Sequence, residues 1–155
     1  MSKIIVVLII VLIALIVGFI SIRISAAKAK PSIKLGIVDN RFETESSKPN
    51  WVSSFETDQK RKASVIDLNS SDLDSGKQKI IQNIQTLERT KLVKQDTNYL
   101  HFTFTSKTFG YIDDVEFLII DNGNKSHIRS SSRTGYDDLG INKKRVEMLK
   151  NILEK

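Results

Sequence analysis

The chain has 155 residues, no cysteine and a formal net charge of +6. That length admits one folded domain of ordinary size plus an appendage. The missing thiols exclude disulfides, thiolate metal sites, a cysteine nucleophile and a lipid-modified N-terminal cysteine. The charge is unevenly placed. Lys3, Arg23, Lys28, Lys30 and Lys34 give residues 1–34 a charge of +5, whereas 19 bases and 18 acids leave residues 35–155 at +1. A nucleic-acid footprint on the folded part is not supported; the excess lies where lysine and arginine meet anionic lipid head groups.

Ile4 to Ile22 is an uncharged run of 19 residues. As a helix it would be ~28 Å long, close to the hydrocarbon thickness of a bilayer. The partner it implies is a lipid bilayer, spanned once. A cleavable signal peptide is the alternative, since Ala27-Lys28-Ala29 fits a small-residue cleavage pattern, but the run exceeds the usual apolar core of such a peptide. Residues 23–34 read as a basic stalk, with Pro31 discouraging helix. The division expected is therefore an anchor and stalk over 1–34 and one α+β domain over 35–155, with 35–62 a mostly irregular lead-in. Trp51 and Phe55 read as aromatic pins for that lead-in.

Ala63 to Leu68 fits a short edge strand. Asp72 to Val93 reads as a helix, with N-cap candidates at Asp72, Asp74 and Ser75 and an apolar stripe of Ile80, Ile81, Ile84 and Leu87. In 98–105, Leu100, Phe102 and Phe104 alternate with Tyr99, His101 and Thr103, a half-buried strand. Ile112 to Asp121 and Lys125 to Ser131 are two further strands. Asn122-Gly123 between them signals a two-residue type I′ turn, whose central positions both need positive φ. A last helix runs from about Asn142 to Leu153. The fold class predicted is α+β: a small antiparallel sheet with a central hairpin, covered by two amphipathic helices, plus one N-terminal transmembrane helix.

The densest stretch is Phe109 to Arg145, with six acidic and six basic residues. Counting outward from Asn122-Gly123 sets Phe117 across from Ile128 and Glu116 across from Arg129. Val115, Phe117 and Ile119 then face the core, while Asp114, Glu116 and Leu118 share the other face with His127, Arg129 and Ser131. Lys143, Lys144 and Arg145 fall in the first turn of the last helix, where its dipole disfavours cations. Either local carboxylates compensate, or an external anion does. The candidate set, as anion site or as structural charge network, is Asp114, Glu116, Arg129, Arg133, Asp137, Asp138, Asn142 and Arg145. The arrangement expected has Asp138 capping the helix, Asp137 or Asp114 pairing one arginine, and Arg145 with Arg133 bordering an open pocket.

A hydrolase reading takes Asp113, Asp114, Glu116 and His127 as oxygen-rich metal ligands for magnesium, calcium or manganese. Adjacent strand residues Asp113 and Asp114 point to opposite faces, however, and no nucleophile, base and orienter can be assembled. The predicted protein is therefore a membrane-anchored, non-enzymatic domain without cofactor or metal. Its expected partners are a small anionic ligand or a protein near the bilayer; a hydrolase and a purely structural envelope component are the alternatives.

Three motifs carry a resemblance: Phe109-Gly110-Tyr111-Ile112-Asp113-Asp114-Val115-Glu116-Phe117, Ile128-Arg129-Ser130-Ser131-Ser132-Arg133, and Gly135-Tyr136-Asp137-Asp138-Leu139-Gly140 through Glu147. Leu35-Gly36-Ile37-Val38-Asp39 and Lys48-Pro49-Asn50-Trp51-Val52-Ser53-Ser54 extend it. Residues 35–155 thus resemble the bacterial and plastid family catalogued as domain of unknown function 1499. The chain departs from that family where Trp51 stands, a position commonly held by cysteine, and lacks another cysteine a few residues before Pro49. Thiol-based roles therefore do not transfer. The resemblance implies an envelope or organelle-membrane setting and no established activity. It places the folded part on the extracytoplasmic side, the orientation expected here, although the basic flank after the apolar run favours the cytoplasm.

Overall fold

The computed structural model describes residues 2–43 and 48–155, so residues 44–47 of the lead-in lie outside the described residues. Helix α1 spans Lys3–Ala27 and is long and apolar enough to cross a membrane. Two short strands follow, β1 (Ile37–Val38) and β2 (Arg41–Phe42), paired with each other. The main sheet has six antiparallel strands: β3 (Trp51–Ser53), β4 (Ile66–Asp67), β5 (Thr90–Gln95), β6 (Tyr99–Thr105), β7 (Ile112–Ile120) and β8 (Lys125–Ser132). The order is β3-β8-β7-β6-β5, with β4 pairing the start of β8 beyond β3. The class is α+β, as expected, with a larger sheet than the three clear strand patterns suggested.

Helix α2 is Leu73–Gln85 and α3 is Ile141–Leu153. Both lie on one sheet face. Ile80, Ile81 and Ile84 of α2 and Val146, Leu149 and Leu153 of α3 close over Leu100, Phe102, Val115, Phe117, Ile119 and Ile128. Phe102 and Phe117 meet edge to face at 6.0 Å, a favoured aromatic geometry. Burying each such side chain stabilises the fold by about 1.5–3 kcal/mol.

Two expectations need correction. The helix read as far as Val93 stops at Gln85. The Thr90 hydroxyl donates to the carbonyls of Ile84 and Leu87, Arg89 takes φ +59, and Thr90–Gln95 pairs with β6. Glu88, Arg89 and Lys91 are good helix formers, but pairing along a strand edge outweighs that weak preference. The hairpin also differs at its tip. Asn122 and Gly123 do take positive φ, +51 and +97, yet so does Asp121. The ladder therefore ends at Ile120 opposite Lys125, leaving a four-residue connection with a 3-10 turn. The register is the one counted from the sequence, because the connection is symmetric about the same point.

The second sheet face is covered too. Phe42, Tyr99 and Leu118 form a small apolar cluster with Ile37, Phe55 and Ile120 around it. Residues 29–43, read as stalk and lead-in, run across this face as a strap. The Ser32 hydroxyl donates to the Ser132 carbonyl at 2.7 Å, and Ile33 is buried.

Candidate functional site

Strand β7 carries the three acids of the predicted constellation, and its alternation sends them to different places. Asp113 faces the helices. It accepts from Arg145 of α3, whose Nη1 also donates to Ser130 Oγ at 3.0 Å and Asn142 Oδ1 at 2.7 Å. The Arg145 guanidinium lies over the Phe104 ring at 5.3 Å. Asn142 is fully buried at the centre of this cluster. Its Nδ2 donates to Asn50 O at 3.0 Å and Ser132 Oγ at 2.9 Å, and its Oδ1 accepts from Ser130 Oγ at 2.6 Å.

Asp114 faces the strap. Arg133 reaches both its oxygens, Nε to Oδ2 at 2.9 Å and Nη2 to Oδ1 at 2.7 Å, and donates a third bond to the Ala29 carbonyl at 3.0 Å. The His101 Nε2 atom stands 2.8 Å from Asp114 Oδ1. Burial pushes the Asp114 carboxyl up, but hydrogen bonds from His101 and Arg133 outweigh it and hold the group below its ordinary value.

Glu116 lies further along the same face and is sealed. It accepts from Arg129 Nε at 2.6 Å, Tyr99 OH at 2.7 Å and the Gly36 amide at 2.7 Å. Arg129 has no exposed surface; its remaining donors go to the carbonyls of Lys34 and Glu43. Burial first, and the neighbouring Glu116 charge second, push the Tyr99 hydroxyl well above its usual range.

Asp137 and Asp138 do a different job. Asp137 Oδ1 accepts the Leu139 amide at 2.7 Å, and Asp138 takes those of Gly140 at 3.2 Å and Asn142 at 2.6 Å. Asp138 thus caps α3 and supplies the negative charge its N-terminus favours. A cavity of about 320 Å³ lies above this turn, between Tyr111, Asp113, Asp137, Leu139, Ile141 and Arg145. Arg133 does not line it. Because Asp113 and Asp114 alternate across the sheet, Arg145 and Arg133 sit on opposite faces. Arg133 borders a separate shallow groove with Arg89 and Lys91. The pocket expected between the two arginines is absent from the described residues.

The proposed hydrolytic set is likewise dispersed. His127 pairs its Nδ1 with Ser54 Oγ at 2.9 Å and stacks on Phe55 at 3.8 Å. Among the described residues no three His, Asp or Glu side chains converge as metal ligands. Two participants escaped the sequence reading. His101 is absent from the candidate set, although its place beside Tyr99 and Thr103 in the polar half of β6 puts it on the Asp114 face. The strap carbonyls of Ala29, Lys34 and Glu43 left no local signal.

A family model described as "Protein of unknown function (DUF1499)" matches residues 41–153. The chain belongs to that family. The match takes in every strand of the main sheet, both covering helices and all three acid–base pairs of this DUF1499 protein. It begins after α1 and after most of the strap. A search of curated proteins finds no match.

Proposed function

We propose that this DUF1499 chain is a membrane-anchored, non-catalytic domain that binds a small ligand or a partner at the bilayer surface. The observation that carries the reading is the junction between α1 and the folded part. Ala26 is buried, and Arg23 Nη1 donates to the Thr108 carbonyl at 2.6 Å and the Lys107 carbonyl at 3.3 Å. Cleavage near Ala27-Lys28-Ala29 would break that packing and disturb Ala29, the residue whose carbonyl receives Arg133. The helix therefore fits a retained anchor, and the folded part fits one held against the membrane.

The charge network supports a non-catalytic role. Each guanidinium of the candidate set is paired with a carboxylate, and His101, beside Asp114, is 5 % exposed. Such saturated pairs hold elements together and leave no group poised to move a proton. The cavity beside Tyr111 is the place for a ligand. Tags placed before Ile4 and after Lys155 test the anchor. The full chain should stay in the membrane pellet after an alkaline carbonate wash, carrying both tags. Loss of the N-terminal tag, or release by carbonate, overturns the reading. Protease added to intact cells tests the outward orientation; complete protection would reverse it.

A further inference from the structure

The cavity above α3 has an apolar lip that the folded part leaves open. Leu139 is 86 % exposed and Ile141 is 52 % exposed. Phe109 and Tyr111 stand on the facing loop with their rings 5.6 Å apart, both partly exposed. Leu139 is held outward by its backbone, which takes φ +53 while Asp137 accepts its amide. Tyr111, Leu139 and Ile141 line the cavity and Phe109 stands against Tyr111; single exposed apolar residues are ordinary, but such a group beside one cavity marks a contact surface.

What this lip meets is set by α1. Phe109 packs against Phe19 of α1 at 6.1 Å, and Arg23 bonds the carbonyls of Lys107 and Thr108 in the same loop. At ~1.5 Å per residue, Phe19 lies about 5 Å inside Ile22, where the uncharged run ends. Phe109 thus stands where hydrocarbon gives way to head groups, the level at which aromatic side chains collect. Lys107 is exposed beside it, and Lys28 and Lys30 are exposed just beyond α1. These cations complement anionic head groups. Inside the cavity Arg145 is paired with Asp113, while Asp137 and Asp138 accept main-chain amides. A lining with more acids than bases disfavours anionic head groups, so the cavity suits an uncharged acyl chain, with the cations outside it.

We infer that Phe109, Tyr111, Leu139 and Ile141 are inserted into the interface of the same anionic phospholipid bilayer that α1 crosses, so that the cavity opens to lipid and not to water. This rests on the reading of α1 as a bilayer anchor. It deepens that reading by assigning the membrane itself as the partner of the folded part.

Tryptophan placed at the lip tests it. The full chain, reconstituted in vesicles of mixed phosphatidylcholine and phosphatidylglycerol, carries Phe109→Trp, Leu139→Trp or Ile141→Trp, with Phe19→Trp as the reference for α1. The natural Trp51 is buried and sets the background. Lipids brominated in the upper acyl chain should quench positions 19, 109 and 139 or 141, and leave wild-type emission almost unchanged. Quenching at 19, with or without 109, but at neither 139 nor 141 overturns the inserted lip and leaves the anchor standing. No quenching at 19 overturns both. Because 139 and 141 stand on either side of the first residue before α3, failure of one of these variants to fold leaves the other to decide.

Discussion

Glu116 and Arg129 face each other across the β7–β8 ladder, fully enclosed, and the same guanidinium reaches the main chain of Lys34 and Glu43 in the strap. The pair therefore ties three parts of the chain together: two strands and the segment that leads in from α1. Breaking one partner of a buried pair strands the other charge, at about 3–5 kcal/mol, whereas replacing both by apolar groups is often neutral. Arg129→Met should lower stability by that amount and speed amide exchange at Gly36. The double variant Glu116→Leu, Arg129→Met should recover most of it. Denaturant unfolding in detergent reads the first effect and hydrogen exchange the second; equal losses in single and double variants would refute the stranded-charge account.

Gly123 and Gly76 lock the hairpin tip to the start of α2. A Cβ on Gly123 would lie 2.0 Å from the Asp72 carbonyl oxygen, and one on Gly76 would lie 2.4 Å from that of Gly123. Gly123 also takes φ +97, a conformation that favours glycine. Gly123→Ala should therefore destabilise by at least ~1–3 kcal/mol through overpacking and strain. A melting temperature within a degree of wild type would show that the tip can move away from α2.

Acid sensitivity should come in two limbs. Burial, then the Arg41 charge, lower the His127 value in the folded state. Stability from this group is fully present above its unfolded value of ~6.5 and declines as pH falls toward the lower folded one. Asp114 is also lowered, so its contribution is present above an unfolded value of ~3.9 and is lost as pH falls through the folded value. His127→Gln should flatten the limb below pH ~6.5 and leave the one below ~4. Asp114→Asn should reduce the lower limb, to which Asp72, Glu56 and Glu154 also contribute, and weaken the fold at neutral pH as well. Melting temperature against pH checks both, and an unchanged upper limb in His127→Gln would assign it to another group.

An anion held by Arg133 and Arg145 was one reading of the charged stretch, and the pairing of both argues for weak competition at most. Phosphate titrated into the full chain should shift its melting temperature no further than chloride at matched ionic strength. A ligand that binds only the folded state must raise that temperature. A saturable phosphate effect that disappears in the Arg133→Ala, Arg145→Ala double variant would restore the anion site.

Local chemistry determined a good deal of this protein from sequence alone. The period of two in β6, β7 and β8, with Asn122-Gly123 between two of them, set which residues face the helices and placed Glu116 across from Arg129. The stripe of Val146, Leu149, Ile152 and Leu153 marked α3, and the uncharged run Ile4 to Ile22 marked α1. These are short-range regularities, carried by each segment's own spacing. Tertiary structure decided the rest. Thr90–Gln95 became a strand because β6 offered an unpaired edge, which its own residues do not announce. Arg133 and Arg145, 12 positions apart, were separated by the whole thickness of the sheet because their partners Asp113 and Asp114 point in opposite directions. The strap closed the second face and supplied carbonyls to Arg129 and Arg133 from 95 and 104 residues away. Main-chain acceptors carry no sequence signature, since every residue has one, so only the folded path of the chain brings them to the guanidinium groups they satisfy.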